Sequence, residues 1–367
     1  MQYTPLITHH QACGAKLVDF AGWQMPIQYS GVVDEYHTVR SHVGLFDVSH
    51  MGRLRIAGSG AISFLQRVTT NDVGKLAITQ AQYSMVCNEN GGIKDDVFVY
   101  RLTSDEFLLC VNASNREKLL SWLQCQLAQD KTVRLEDRSV EMAQVALQGP
   151  KSRELLMSLG GKVLESLKLH HTSEGTIGGL SCLFARTGYT GELGYEIYID
   201  TDKVGRLWDL LVAKGKTWGL KPAGLGARDL LRLEMGYLLY GNDMGEETTP
   251  LEANADWTVS FQKGSFIGSQ ALLAQKQAGL ARRFVAFELD EKAVPRHGFK
   301  IIDPVTSQPV GEVTSGNLSP LLQKGIGLGY LPLRFTKPGT SILIEIRSRN
   351  LPAKIVTLPF YRKPKSA

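Results

Sequence analysis

The strongest pattern along the chain is a pair of β-prone runs, 82–87 and 93–100, on either side of Asn88-Glu89-Asn90-Gly91-Gly92. Only Gly, Asn or Asp readily take the positive φ angles of a tight turn between antiparallel strands, so the stretch predicts a β-hairpin. Apolar residues at helical spacing predict helices over 32–42, 61–68, 150–159 and 202–214. In the first of these, Gly44 is the expected stop. A strand over 107–112 leads to Ser114 and, three residues on, Glu117, the capping-box arrangement that predicts a helix over 115–128. Residues 46–57 read as a strand pair or one bent strand, 142–148 as a strand, and 183–199 as a hairpin with glycines at 188, 191 and 194. Pro150 suits the first turn of its helix, where its missing N–H costs nothing.

Beyond Gly279 the pattern changes. Short β runs at 282–289, 311–314, 325–331, 341–346 and 353–358 alternate with Gly, Pro and Asn turns and no helix intervenes, which predicts a small all-β domain. The whole is an α+β chain with mainly antiparallel sheets.

Composition narrows the function classes. With 367 residues, 43% hydrophobic and 21% charged, the chain has the balance of a globular enzyme with room for two or three domains. A formal charge of +5 without a dense Lys/Arg patch does not announce a nucleic-acid binder. Five scattered cysteines fit neither a disulfide framework nor a zinc site, and the histidines show no ligand spacing, so no metal is expected. No apolar run reaches the roughly 18 residues of a membrane span and no leader is evident, so a cytoplasmic protein is expected.

Candidate chemistry centres on Asp95-Asp96, an adjacent acid pair at the start of the second hairpin strand. Alternation sends the two carboxylates to opposite faces: Asp96 with Phe98 and Tyr100, Asp95 with Val97 and Val99. Which one is buried stays open on alternation alone. A carboxylate among aromatics has its charged form desolvated and serves as a base or a fixed negative pole. Arg228 and Arg232, four apart on one helical face, either clamp an anion or pair with nearby acids.

Several segments together carry a family resemblance: Phe20-Ala21-Gly22-Trp23, Phe46-Asp47-Val48-Ser49-His50-Met51-Gly52, the Asn88 to Asp96 turn, Gly188-Tyr189-Thr190-Gly191-Glu192, Ala227-Arg228-Asp229 and Tyr240-Gly241-Asn242-Asp243. From end to end the chain resembles the T-protein of the glycine cleavage system, an aminomethyltransferase that uses tetrahydrofolate. The resemblance implies a three-domain cloverleaf around a folate channel. The implied domains are 1–50 with 138–245, 51–137 with 246–278, and a jelly-roll or barrel-like unit at 279–367.

It also implies Asp96 as the catalytic acid, which resolves the tie. Folate-contacting positions would be Glu196, whose carboxylate matches the adjacent N–H donors of a pterin, Arg228, and Arg362 toward the glutamate carboxylate. Met51, Tyr83, Tyr100, Asn112, Tyr189 and Trp257 match channel-lining positions. The implied partner is the lipoylated H-protein, with no nucleic acid and no membrane. The implied reaction moves the methylene of an aminomethyl-dihydrolipoyl arm to tetrahydrofolate, releases ammonia and gives 5,10-methylenetetrahydrofolate.

Two other readings compete. A folate-binding relative in iron–sulfur assembly or RNA modification carries a cysteine where this chain has Ser265, in Lys263-Gly264-Ser265-Phe266-Ile267-Gly268. The folate half of a flavin oxidase needs a dinucleotide-binding fingerprint that is absent here.

Overall fold

The computed structural model describes residues 1–362; the end of the basic tail, Lys363-Pro364-Lys365, lies outside them. The chain is α+β, its sheets mainly antiparallel and its C-terminal sheet a closed barrel. It divides into two compact units: residues 1–86 with 95–229, and residues 87–94 with 230–367.

The first unit carries two principal sheets. In the six-stranded sheet the strands run in the order Thr172–Ile177, Leu180–Ala185, Gly194–Asp200, Met142–Gln148, Val43–Asp47, Leu220–Pro222. Apolar residues of its buried face, among them Leu45, Val145, Leu147 and Ile197, pack with Leu207, Trp208 and Leu211 of the helix Val204–Gly215. The five-stranded sheet runs Ala81–Cys87, Ile93–Arg101, Glu106–Val111, Gly52–Ala57, Arg134–Asp137. The expected strand pair at 46–57 is therefore two strands in two different sheets. Asp47 makes the break: its Oδ1 accepts the N–H of Ser49 at 2.8 Å, a side chain mimicking a turn.

Three other expectations are corrected. Gly44 does not stop a helix: the helix is Val32–Ser41, and Gly44 lies inside the next strand. A Cβ there would meet Val39 Cγ2 at 2.3 Å, so glycine serves the close approach of helix to strand. The helix after residue 112 starts at Arg116, with Asn115 as its N-cap residue and no side-chain cap, so the Ser114/Glu117 box does not form. Pro150 precedes its helix, Ser152–Ser158.

In the second unit, Arg282–Leu289, Lys324–Pro332, Pro309–Ser319, Lys300–Ile302, Ser341–Ile346 and Arg349–Val356 close the barrel. Val285, Phe287, Ile301, Val313, Leu331, Ile344 and Ile355 fill it. The expected short runs at 311–314 and 325–331 are parts of longer strands. The hairpin turn also belongs to this unit. Gly91 takes φ +83°, and Asn88 Oδ1 accepts the N–H groups of Asn90 and Gly92 at 3.0 and 2.9 Å.

Candidate active site

Along the second hairpin strand burial alternates: Ile93, Asp95, Val97 and Val99 are buried, and Lys94, Asp96 and Phe98 half-buried. Asp95, not Asp96, is the fully enclosed acid of the pair, which corrects the simplest form of the expectation. Asp96 instead stands on the half-open face with the aromatics.

Uncharged donors hold both acids. Tyr83 donates its hydroxyl to Asp96 Oδ2 at 2.8 Å, and Asn112 Nδ2 donates to Asp96 Oδ1 at 2.6 Å. Asp95 Oδ1 accepts from Asn112 Nδ2 at 2.8 Å and Asn115 Nδ2 at 2.6 Å, and its Oδ2 accepts the Asn112 backbone N–H at 3.1 Å. Burial raises the pKa of both carboxyls above the ordinary range. The Asp96 charge raises Asp95 further, while the donors work in the opposite direction. Two such close carboxyls titrate as a pair.

An aromatic strip leads away from the acids. Phe98 lies 5.9 Å from Tyr83 and 5.7 Å from Tyr100 between ring centroids. Tyr100 is fully enclosed, its hydroxyl 3.4 Å from Glu196 Oε2 and 3.1 Å from that of Tyr198. Glu196, 9% exposed, accepts from Gln144 Nε2 at 3.1 Å and from Thr187 Oγ1 at 2.5 Å. Residues two apart on a strand face the same way about 6.6 Å apart, so Asp96 and Tyr100 are separated by about 13 Å. The two sheets thus bring Asp96, Tyr83, Asn112, Tyr100 and Glu196 onto one connected set of contacts.

Arg228 lies with its guanidinium 4.8 Å from the Tyr189 ring centroid, and its buried Nη1 meets no hydrogen-bond acceptor. The neighbouring buried His50 is held neutral: burial pushes its imidazole down to about 4, and the charges of Arg228 and Arg53 add to that against the pull of Asp47. Met51 is half-buried beside the cluster that holds Tyr100 and Tyr198, and its carbonyl accepts from Arg53. Trp257 and Arg362 belong to the second unit. There Trp257 is 65% exposed on a single 3-10 turn, and Arg362 is the exposed last described residue. Arg232, read as a possible partner of Arg228 on an anion, is instead paired with Asp243 at 2.6 Å.

Reading the sequence alone missed Asn115, Thr187 and Gln144. Only Asn115 left a signal, as the second of two asparagines three apart after a strand. Among the described residues no group of three or more His, Cys, Asp or Glu side chains gathers as a metal site, and no helix is long and apolar enough to cross a membrane.

Residues 6–263 match the GCVT N-terminal domain family, and residues 282–362 match the glycine cleavage T-protein C-terminal barrel domain. The chain is 47% identical over 360 residues to an aminomethyltransferase of Halothermothrix orenii, covering 98% of this chain and 100% of that protein. It is 44% identical over 364 residues to one of Caldanaerobacter subterraneus subsp. tengcongensis, with 99% and 96% covered. The crystal structure of the glycine cleavage system aminomethyltransferase T from Bartonella henselae superposes with a TM-score of 0.92 at 32% identity, covering 98% of both chains.

The chain belongs to the glycine cleavage T-protein family. It is a transferase, and specifically an aminomethyltransferase of the glycine cleavage system. The family match favours this reading over a binding relative in iron–sulfur assembly or RNA modification.

Proposed function

We propose that tetrahydrofolate accepts the one-carbon unit in this transfer, that a lipoylated H-protein delivers it, and that Asp96 is the carboxylate at the reacting centre. One observation carries the reading: two carboxylates held by uncharged donors, Asp96 and Glu196, stand at opposite ends of one aromatic strip, with about 13 Å of strand rise between Asp96 and Tyr100. A flat bicyclic ring with N–H donors at one end and nucleophilic nitrogens at the other fits such a span.

When bound, tetrahydrofolate would supply the two nitrogens that take the methylene from the aminomethyl-dihydrolipoyl arm, with ammonia and the freed dihydrolipoyl thiol leaving. Glu196 is suited to accept the donors of the pterin edge, since Gln144 and Thr187 fix its orientation. Arg228 Nη1, buried without an acceptor, is suited to a carbonyl or carboxylate of the same molecule. Asp96 takes a proton or steadies positive charge, because the side chains that bond its carboxylate are a phenol and an amide, both uncharged. Met51, Tyr83, Tyr100, Asn112 and Tyr189 belong to the same site in this reading, whereas Trp257 and Arg362 rest on the family resemblance alone. So does the division into 1–50 with 138–245, 51–137 with 246–278, and 279–367; a cytoplasmic location rests on the expectation read from the sequence.

Thermal unfolding with and without tetrahydrofolate tests the reading. Ligand at about 100 times its Kd adds roughly 2.7 kcal/mol by mass action. A null shift at saturating folate overturns it, and carrier-dependent ammonia release then measures the transfer itself.

A further inference from the structure

Asp95 has no part in the function proposed so far, although a carboxylate fully enclosed among Ile93, Val97 and Val99 is costly to keep. We infer that Asp95 is a positioning residue for aminomethyl transfer, which fixes the Asn112 amide so that Asn112 in turn locks the Asp96 carboxylate. The inference rests on Asp96 being the reacting carboxylate.

The amide of Asn112 has two N–H bonds and spends both on the acid pair, one on Asp95 Oδ1 at 2.8 Å and one on Asp96 Oδ1 at 2.6 Å. Turned over, the amide would set its oxygen against two carboxylates. The pair therefore selects one of the two amide orientations. Asp95 is itself immobilised from the other side. Asn115, just ahead of the helix Arg116–Leu127, donates its side-chain amide at 2.6 Å, and the Asn112 backbone N–H closes on the second oxygen at 3.1 Å. This explains why Asn115 leaves its helix uncapped: its amide is committed to Asp95. The result is a rigid chain of hydrogen bonds from Asn115 through Asp95 and Asn112 to Asp96, with Tyr83 holding the other Asp96 oxygen. An apolar residue at 95 would pack with its neighbours but leave Asp96 alone to orient the Asn112 amide.

The test uses the full chain with its lipoylated carrier and tetrahydrofolate, comparing wild type, Asp95→Asn, Asp96→Asn and the double variant. An asparagine at 95 keeps one oxygen for the two side-chain amides but sets an N–H against the Asn112 backbone N–H that Asp95 Oδ2 now accepts, so Asn112 is pushed from its place. Asp95→Asn should lower kcat about tenfold, with KM for tetrahydrofolate within about twofold, since only the placement of a reacting group changes. In the Asp96→Asn background the same substitution should cost nothing further, because Asp95 acts through Asp96. Unchanged kcat in folded Asp95→Asn, or a full additional loss in the double variant, overturns the inference. Should Asp95→Asn fail to fold, Asn115→Ala loosens the same chain one link back. A severalfold kcat loss at constant KM supports the inference, and an unchanged kcat overturns it. If Asp96→Asn alone keeps full turnover, the reading of Asp96 fails. If Asp96→Asn loses turnover and Asp95→Asn does not, this inference alone fails.

Discussion

Asp243 and Asp96 are both carboxylates drawn away from water, and they differ in the charge of what surrounds them. In the second unit, Asp243 Oδ2 accepts from Arg232 at 2.6 Å and from the Leu239 N–H at 3.0 Å, and its Oδ1 accepts from Thr314 at 2.6 Å. The guanidinium also donates to Ser315 at 2.8 Å, so the two charges cancel and each polar atom named here has a partner. In the first unit, Asp96 has a phenol and an amide for partners, and its neighbour in the chain is another acid, whose pKa it raises. Cancelled charge holds structure together. Charge left uncancelled in a low-dielectric place is poised to take a proton or stabilise a cation, which is where perturbed groups gather at functional sites.

The comparison breaks most sharply at Asp243. Asp243→Ala removes the carboxylate that Arg232 Nη1 meets at 2.6 Å in a buried pair, and should cost about 3–5 kcal/mol of stability in urea unfolding. Next in size, Asp96→Asn should lower turnover about a hundredfold or more, the usual scale of general acid–base help, with tetrahydrofolate binding largely retained. The same variant should not lose stability as Asp243→Ala does, since the partners it leaves behind, Tyr83 and Asn112, are uncharged.

Its stability should also depend on pH with a definite sign. The folded pKa values of the acid pair are raised, so the pair's contribution to stability is fully present below about pH 4, the ordinary carboxylate value, and is lost as pH rises through the raised values. Relative to wild type, Asp96→Asn should therefore gain stability as pH rises above about 4. Urea midpoints of the two proteins measured from acid to neutral pH check this. A gap that is constant with pH would mean that the pair is not perturbed.

Much of this contrast was hidden in the sequence for physical reasons. The hairpin was legible because Asn-Gly turns need positive φ, and the helix 61–68 because its apolar spacing is regular. The face of each acid was not, since alternation fixes only that Asp95 and Asp96 differ. Their partner Tyr83 comes from the other hairpin strand, and Asn112 and Asn115 follow the strand Glu106–Val111. The strand Thr172–Ile177 escaped because it is polar, as an edge strand with alternate exposed residues can be. The capping box at Ser114 misled because local capping competes with a tertiary demand on Asn115, and the carboxylate won. Arg228 and Arg232 were indistinguishable by spacing. Only the folded chain gives one of them Asp243 and leaves the Nη1 of the other without an acceptor.

A smaller change sharpens the Asp96 side. Tyr83→Phe keeps the ring against Phe98 and removes one of the two side-chain donors to the carboxylate. Turnover should fall about tenfold, the low end for a hydrogen bond to a charged group. Steady-state kinetics at saturating folate separate this from a binding effect, and a change confined to KM would make Tyr83 a ligand contact only.

The smallest effect tests whether burial, not the mere presence of opposite charges, makes the Arg232–Asp243 pair matter. Lys300 and Glu312 face each other on neighbouring barrel strands at 2.6 Å, as short a contact as Arg232–Asp243, but their side chains are 49% and 47% exposed against 2% and 0%. Water solvates each ion when the other is removed, so Lys300→Ala should change stability by no more than about 1 kcal/mol and leave turnover unaltered. Urea unfolding of Lys300→Ala beside Asp243→Ala decides the point. Equal losses would show that contact distance governs both pairs, and would remove the ground for treating a half-buried charge held by uncharged donors, such as Asp96, as special.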